Sequence, residues 1–291
     1  MKADLHCHTI LSDGTLGIEE LIAVAKKSSV DTIAVTDHDT LAGTVRAKII
    51  GKRFDIDVIP GVELSCWDSK RNNKVHLICY LADSPDRLEG LCRRTSLARK
   101  RAGQMMVLKA ASRFPLTADY VLKCASGSTN IYKQHIMRAL MNIGYTDRVF
   151  GELFDELFVN ESPENINVPI KYPDVHDVLA EIIEAGGIPV IAHPAYYGNI
   201  ELMKELVSEG LCGVEVYHPA HSPEDVEQLL SFARENKLLV TGGSDFHGAN
   251  SKHMAKLGEY TTPEDDVAAL LSFKARQKRA KRREEKLAAE S

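Results

Sequence analysis

The 291-residue chain predicts an α/β fold, a closed or partly closed barrel of parallel strands with an inserted helical subdomain. Short apolar runs rich in β-branched residues alternate with amphipathic helical patterns, the rhythm of strands joined by helical crossovers. About seven such strands can be placed, a number that suits a barrel better than an open sheet. Between positions 84 and 172 that rhythm gives way to segments that are all helical in character.

The elements follow in order. "DLHCH" opens the first strand, and "GIEELIAVAKK" puts Ile18, Leu21, Ile22 and Ala25 on one face of a helix. "DTIAVTDHD" is a buried strand, and "DVIPGVELS" and "KVHLICYL" are two more. The stretch 84–172 is expected to fold as a helical cap over one rim, with "NINVPIKYPD" marking the return. Helix "DVHDVLAEIIEAGG", strand "IPVIAHP", helix "NIELMKELVSEG", strand "GVEVYHP", helix "SPEDVEQLLSFARENK" and strand "LLVTGGSDFHG" complete the pattern. The barrel is therefore assigned to 1–83 and 173–273, the cap to 84–172, and a basic tail to 274–291. That tail carries eight basic against three acidic side chains and is expected to be a solvated, frayed helix end.

Composition narrows the class. Hydrophobic residues make up 44% and charged residues 26%, the balance of a soluble globular protein. No run approaches the roughly 20 apolar residues that cross a bilayer, and "MKADLHCH" lacks a secretory apolar region, so a cytoplasmic location is expected. Six cysteines without a C-x-x-C pair read as reduced thiols. A net charge of −5 argues against a chain built to coat nucleic acid.

The chemistry lies in histidines and carboxylates. Alternate side chains of a strand share a face, so His6 and His8 point together while Cys7 points away. Two adjacent imidazoles are costly as core filler and well suited to a metal. Asp13 follows on the next loop, His38 ends "AVTDH", Glu63 stands in "PGVEL" and His76 in "KVHLI". His193 ends "VIAHP", and Asp245 and His247 close "GGSDFH". The C-terminal ends of parallel strands gather at one mouth, so these ligands are expected around a single site holding two or three divalent ions. Mixed nitrogen and oxygen donors suit Mn, Fe or Zn. Taken singly, each residue has a plainer role: His76 in packing, Asp13 in a turn, Glu63 as a surface charge. Asp37 and Asp39, flanking His38, are expected to cap a helix or brace a ligand rather than bind metal. Recurrence at separate strand ends is what favours the metal centre.

"DLHCHTILSDG", "TDHD", "PGVE", the lone His76, "AHP" and "GGSDFHG" together resemble the PHP (polymerase and histidinol phosphatase) family of metal-dependent phosphoesterases, over nearly the whole chain. The resemblance implies a distorted seven-stranded β/α barrel around a trinuclear centre. It places His6, His8, Glu63 and Asp245 on a first ion, and Glu63 as a bridge to a second completed by His76 and His193. Asp13, His38 and His247 would hold the third. The insert and "GVEVYHPAHSPE" look most like the subgroup acting on nucleoside 3′,5′-bisphosphates, some of whose members are 5′-to-3′ exoribonucleases. That subgroup commonly carries Gly-Arg-Pro-His before a helix, where this chain has "NIYKQHIMRAL". His135 and Arg138 are kept, while Lys133 and Gln134 keep a cation but lose the planar guanidinium fork.

The resemblance thus implies hydrolysis of a phosphate monoester of a small nucleotide, first of all the 3′-phosphate of a nucleoside 3′,5′-bisphosphate. The expected nucleophile is a water activated between ions, because coordination lowers the pKa of water from about 15.7 towards about 7. "GGSDF" is not G-x-S-x-G, so a covalent serine intermediate is not expected. Lys133, His135, Arg138, His218 and His221 are candidates for gripping substrate or protonating the leaving oxygen, with packing or helix capping as the plainer role of the histidines. Arg93, Arg94, Arg99, Lys100 and Arg101 are expected to form a solvated helix face; lining the mouth instead, they would favour a polyphosphorylated or oligonucleotide substrate. A 5′-to-3′ exonuclease on short RNA and a histidinol-phosphate phosphatase would use the same ions. A non-catalytic accessory module belongs to another class, and the full ligand set argues against it. An amidohydrolase also opens with H-x-H but normally adds a strand-end lysine that has no counterpart here. The expected partner is a small phosphorylated nucleotide, with short RNA as the alternative, and neither a membrane nor an obligate protein partner is expected.

Overall fold

A computed structural model describes residues 1–290. The chain runs β1 (Ala3–Cys7), α1 (Ile18–Lys27), β2 (Thr32–Val35), α2 (Thr44–Phe54), β3 (Asp57–Asp68) and β4 (Asn73–Tyr80). Helices α3 (Asp86–Arg113), α4 (Ala118–Cys124), α5 (Lys133–Asn142) and α6 (Glu152–Phe158) then leave the barrel. It resumes with α7 (Val175–Glu184), β5 (Ile188–Ile191), α8 (Ile200–Ser208), β6 (Gly213–Tyr217), α9 (Pro223–Asn236), β7 (Leu239–Gly242) and α10 (Glu264–Glu290). The seven strands form one sheet in sequence order. Hydrogen bonds from His8 N–H to the Phe246 carbonyl (2.9 Å) and from Phe246 N–H to the His6 carbonyl (3.2 Å) bring its two ends together beside β1. The result is a nearly closed, distorted barrel, as the sequence pattern implies.

The strand direction corrects one expectation. β4 pairs antiparallel with both β3 and β5, whereas the other neighbours are parallel. Only residues 69–72 separate β3 from β4. A parallel crossover needs about a dozen residues, so so short a link can only make a hairpin. The reversal matters for the site, because it brings the early residues of β4 to the mouth where the other strands end.

Packing follows the periodicities. Ile18, Leu21, Ile22 and Ala25 of α1 are all buried against β1 and β2 neighbours such as Ile33 and Val35. Leu5, Ala34, Ile59, Ile78, Tyr80 and Val190 form another cluster, while Val214 and Val216 of β6 point to the helical layer. The cap has a core of its own, including Met106, Val121, Ile136, Leu140, Leu157 and Phe158. The first turns of α3 tie it down, since Leu88, Leu91 and Cys92 belong to the barrel-side cluster.

The basic run from 274 onward is the second part of α10, which passes through that position as one helix. Lys274 is buried, donates to the Gly186 carbonyl and pairs with Asp83 at 2.8 Å; Lys278 reaches the same carboxylate at 3.2 Å. The basic run is thus anchored at its start and exposed at Lys281, Arg282 and Arg283. The six cysteines are free thiols. No described helix is long and apolar enough to cross a membrane.

Candidate metal centre

The sequence scatters its imidazoles and acids, and the barrel collects them. β1 presents His6 and, just past its end, His8, with ring centroids 5.1 Å apart and no solvent exposure. His38 follows β2, Glu63 lies midway along β3, and His76 is near the start of the reversed β4. His193 follows β5, and Asp245 and His247 follow β7. Two of these residues sit in left-handed backbone, His193 at φ 31° and Asp245 at φ 48°. Such conformations cost roughly 1–3 kcal/mol each and persist only where surrounding bonds hold them.

Glu63 is the hub. One carboxylate oxygen lies 3.3 Å from His6 Nε2, 3.3 Å from His8 Nε2 and 3.0 Å from His38 Nδ1. The other lies 2.6 Å from His76 Nδ1 and 3.0 Å from His193 Nε2. Asp245 stands 3.4 Å from His6 and 3.3 Å from His8, and Asp13 stands 3.2 Å from His247. Four groups offer ligand atoms within 4.8 Å of one another: His6, His8 and Asp245; His6, Glu63 and His193; His38, Glu63 and His76; and His8, Asp13, His38 and His247. All nine expected ligands are therefore in one cluster. The grouping differs from the implied partition: His6, His8, His38 and Glu63 each belong to two groups, and His193 falls with His6 while His76 falls with His38.

The donor atoms fit divalent ions. His6 Nε2, His8 Nε2, Asp13 Oδ1, Glu63 Oε2, His76 Nε2 and His193 Nδ1 are buried without a hydrogen-bond partner among the described residues. Unpaired buried polar atoms are costly, and those of His6, His8, Asp13 and Glu63, which face one another across the cluster, are what a bound cation would satisfy. Burial alone would raise the Glu63 carboxyl, but His38, His76 and His6 outweigh it and hold it well below the usual range. Burial opposes the charge on His8 too, yet Asp245 and Glu63 draw its ring up to about 10, so an ion entering there displaces a proton. The flanking acids brace the loops. Asp37 accepts from Thr9 N–H, Thr9 Oγ1 and Ser12 Oγ, and Asp39 accepts from Ser65 N–H and Arg99.

Above the cluster opens a cavity of about 870 Å³, walled by the cap. Its cations include Lys74, Arg99 and Lys133. Arg99 departs from the expected solvated face. It is buried, donates to Asp39 at 2.6 Å and Ser65 Oγ at 2.9 Å, and lies 4.7 Å over the Tyr132 ring, while Arg93, Arg94, Lys100 and Arg101 stay exposed. Burial, with Lys74 and Arg99 nearby, pushes the Lys133 ammonium down to about 8.

Of the other candidates, His218 lines the cavity, with Nε2 3.5 Å from Asp245. Its Nδ1 accepts the Ala220 N–H at 3.1 Å, so the neutral ring carries its proton on Nε2, towards the site. His135, Arg138 and His221 do not form the cavity wall. His135 instead caps α5: its Nδ1 accepts the Tyr132 N–H at 3.1 Å, and burial drives the ring down to about 4. His221 is turned to the Val216 carbonyl, 2.8 Å from Nδ1.

Three contributors escaped the sequence reading, and each left a signal. Arg99 falls on the buried stripe of α3 that runs through Leu88, Cys92, Thr95, Ala102 and Met106, a charge where an apolar residue belongs. Lys74 precedes His76 by two in a strand and so shares its face. Glu215 is a carboxylate in the middle of the short strand "GVEVY".

Residues 4–190 match the profile of the PHP domain. The chain belongs to the PHP domain family. This PHP protein is 34% identical over 251 residues to the phosphoribosyl 1,2-cyclic phosphate 1,2-diphosphodiesterase of Eggerthella lenta, covering 85% of this chain and 95% of that one. It is 29% identical over 251 residues to the 3′,5′-nucleoside bisphosphate phosphatase of Chromobacterium violaceum, covering 84% and 86%. A crystal structure from Bifidobacterium adolescentis, described as a candidate metal-dependent phosphoesterase, superposes with a TM-score of 0.83 at 32% identity, covering 93% of this chain and 95% of that one. The PHP protein is accordingly a hydrolase, a metal-dependent phosphoesterase, and its similar relatives differ in substrate.

Proposed function

We propose that the protein opens the cyclic phosphodiester of a phosphorylated pentose, giving the phosphomonoester. The observation that supports this is one cavity lined both by the candidate ligand cluster and by the cations Lys74, Arg99 and Lys133, chemistry suited to two phosphates. Tyr197 stands between Lys74 and the imidazole cluster, 5.4 Å from the ammonium and 5.5 Å from the His76 ring. Tyr132 stands likewise between Arg99 and His38, its ring 6.2 Å from that imidazole. A sugar lying between a phosphate at the ligand cluster and a second phosphate at the cations would run past these two rings. The similarity to the Eggerthella lenta diesterase across nearly its full length favours the cyclic ester. Lys133 and Gln134, where the bisphosphate subgroup carries Arg and Pro, point the same way.

Divalent ions held by His6, His8, Asp13, His38, Glu63, His76, His193, Asp245 and His247 would supply an activated water and offset charge on the phosphate oxygens. The chain does the rest. Lys74, Arg99 and Lys133 hold the distal phosphate and so orient the ester. His218, with its proton on Nε2, faces the leaving oxygen side of the cluster beside Asp245. Water adds to phosphorus, one P–O(sugar) bond breaks, and the sugar oxygen takes up a proton.

A second reading, a nucleoside 3′,5′-bisphosphate phosphatase, is favoured by Trp67, Phe150, Phe154 and Tyr172 on the cavity wall, which offer faces for a base. A panel separates them: Mn²⁺-loaded protein with a 5-phosphoribosyl 1,2-cyclic phosphate, a nucleoside 3′,5′-bisphosphate, a short 5′-phosphorylated RNA and histidinol phosphate, followed by ³¹P NMR. The cyclic signal should collapse with a kcat/KM at least tenfold above the others. Preference for the bisphosphate or the RNA would overturn the cyclic-ester assignment.

A further inference from the structure

Glu215 is fully buried at the centre of β6, on the strand face opposite Val214 and Val216. A charged carboxylate inside a barrel is retained only where something on each oxygen compensates it. Both oxygens are occupied: one lies 2.8 Å from His6 Nδ1, and the other accepts the backbone N–H of His193 at 2.8 Å. We propose that Glu215 is a positioning residue for the metal centre, fixing the tautomer of His6 and the backbone of His193 with one carboxylate. This inference rests on the metal-dependence of the site and not on any choice of substrate.

The first half follows from donor and acceptor roles. A carboxylate only accepts, so the neutral, ion-binding form of His6 carries its proton on Nδ1 and offers the Nε2 lone pair. That Nε2 is the atom aimed at Glu63 and Asp245, 3.3 and 3.4 Å away, and it has no hydrogen-bond partner among the described residues. The second half concerns geometry. His193 is held at φ 31°, and the bond to its N–H ties that left-handed residue to β6. His6 and His193 share one candidate ligand group with Glu63, while His6 also joins His8 and Asp245. A single side chain therefore braces two neighbouring ion positions.

Glu215→Gln tests this without a substrate. A carboxamide offers one acceptor and one donor, so it cannot accept from both partners. If its oxygen keeps the His193 N–H, its NH₂ faces His6 Nδ1 and drives the proton to Nε2, where a metal should sit. Chelated full-length protein is titrated with Zn²⁺ and Mn²⁺. Relative to wild type, Glu215→Gln should bind the ions at these positions about 10–100-fold more weakly, the range for loss of a carboxylate behind a ligating histidine. Glu215→Asp, which keeps an acceptor-only group on a shorter stem, should recover part of that loss. Activity of Glu215→Gln should return towards wild type at high metal, which a residue touching the reacting atoms would not allow.

Long-range ¹H–¹⁵N correlation spectra of Zn²⁺-loaded wild type, with His6 assigned by comparison with His6→Gln, should show its proton on Nδ1. This arm stands even where Glu215→Gln does not fold. A His6 ring protonated on Nε2, or binding isotherms of Glu215→Gln that superimpose on wild type, would overturn the proposal. Either result leaves the substrate panel above unaffected, so the two can fail separately.

Discussion

Asp245 and His193 show how far one side chain reaches in this centre. Each combines a left-handed backbone with a donor atom at the cluster. Asp245→Ala or His193→Ala should lower kcat by at least about a thousandfold, in keeping with the several kcal/mol that metal ions contribute to stabilising transition-state charge. Circular dichroism should stay native, and activity near wild type would remove the residue from the ligand set. Lys133 lines the cavity and is proposed to act on the substrate instead. Its ammonium is held down at about 8, so the free enzyme loses this cation as pH rises through that value. The pH profile of kcat/KM should therefore fall on the alkaline side near 8. In Lys133→Met that limb should vanish and KM should rise roughly ten- to hundredfold, the 1.5–3 kcal/mol of a charge-assisted hydrogen bond. Arg99 has a structural duty as well. Arg99→Met leaves the buried Asp39 carboxylate unpaired and should cost about 3–5 kcal/mol in urea unfolding.

Elements aim these residues through close approaches that few side chains permit. At Gly243, just past β7, an added Cβ would lie 2.4 Å from His6 Cβ and 2.5 Å from His6 N. Gly243→Ala should push β1 and β7 apart where the barrel closes and move a ligand with them. The expected cost is about 1–3 kcal/mol of overpacking, read as a lower Tm of the metal-free protein together with reduced Mn²⁺ retention after gel filtration. The β3–β4 hairpin belongs to this scale too. Its short turn reverses β4, so that His76 reaches the same mouth as His38 and His193 although it stands early in its strand.

At the level of the whole molecule, the ion cluster joins strands from both ends of the chain, so its occupancy should be felt as global stability. Ions bound at about a hundredfold over their Kd contribute about 2.7 kcal/mol, and one kcal/mol moves Tm by roughly 2–4 °C in a domain of this size class. Chelation should therefore lower Tm by roughly 5–10 °C and abolish hydrolysis, with Mn²⁺, Fe²⁺ or Zn²⁺ restoring both. Full activity after exhaustive chelation would remove the ions from the chemistry. The cap, with a core of its own, is joined to the barrel mainly through α3, which also delivers Arg99 to the cavity. That helix thus takes part both in cap packing and in the cavity wall.

The periodicities of α1 and the strands, and the H-x-H, "AHP" and "SDFH" endings, can be read along the chain because local backbone geometry decides which side chains share a face. Those patterns are enough to specify a barrel and to single out nine candidate ligands. The burial of Arg99 against Asp39 and the brace from Glu215 to His6 and His193 depend on contacts between residues 22 to 209 positions apart. No local period encodes such contacts. A carboxylate in "GVEVY" or an arginine on α3 acquires its role only when another strand or helix arrives to desolvate it and supply its partner.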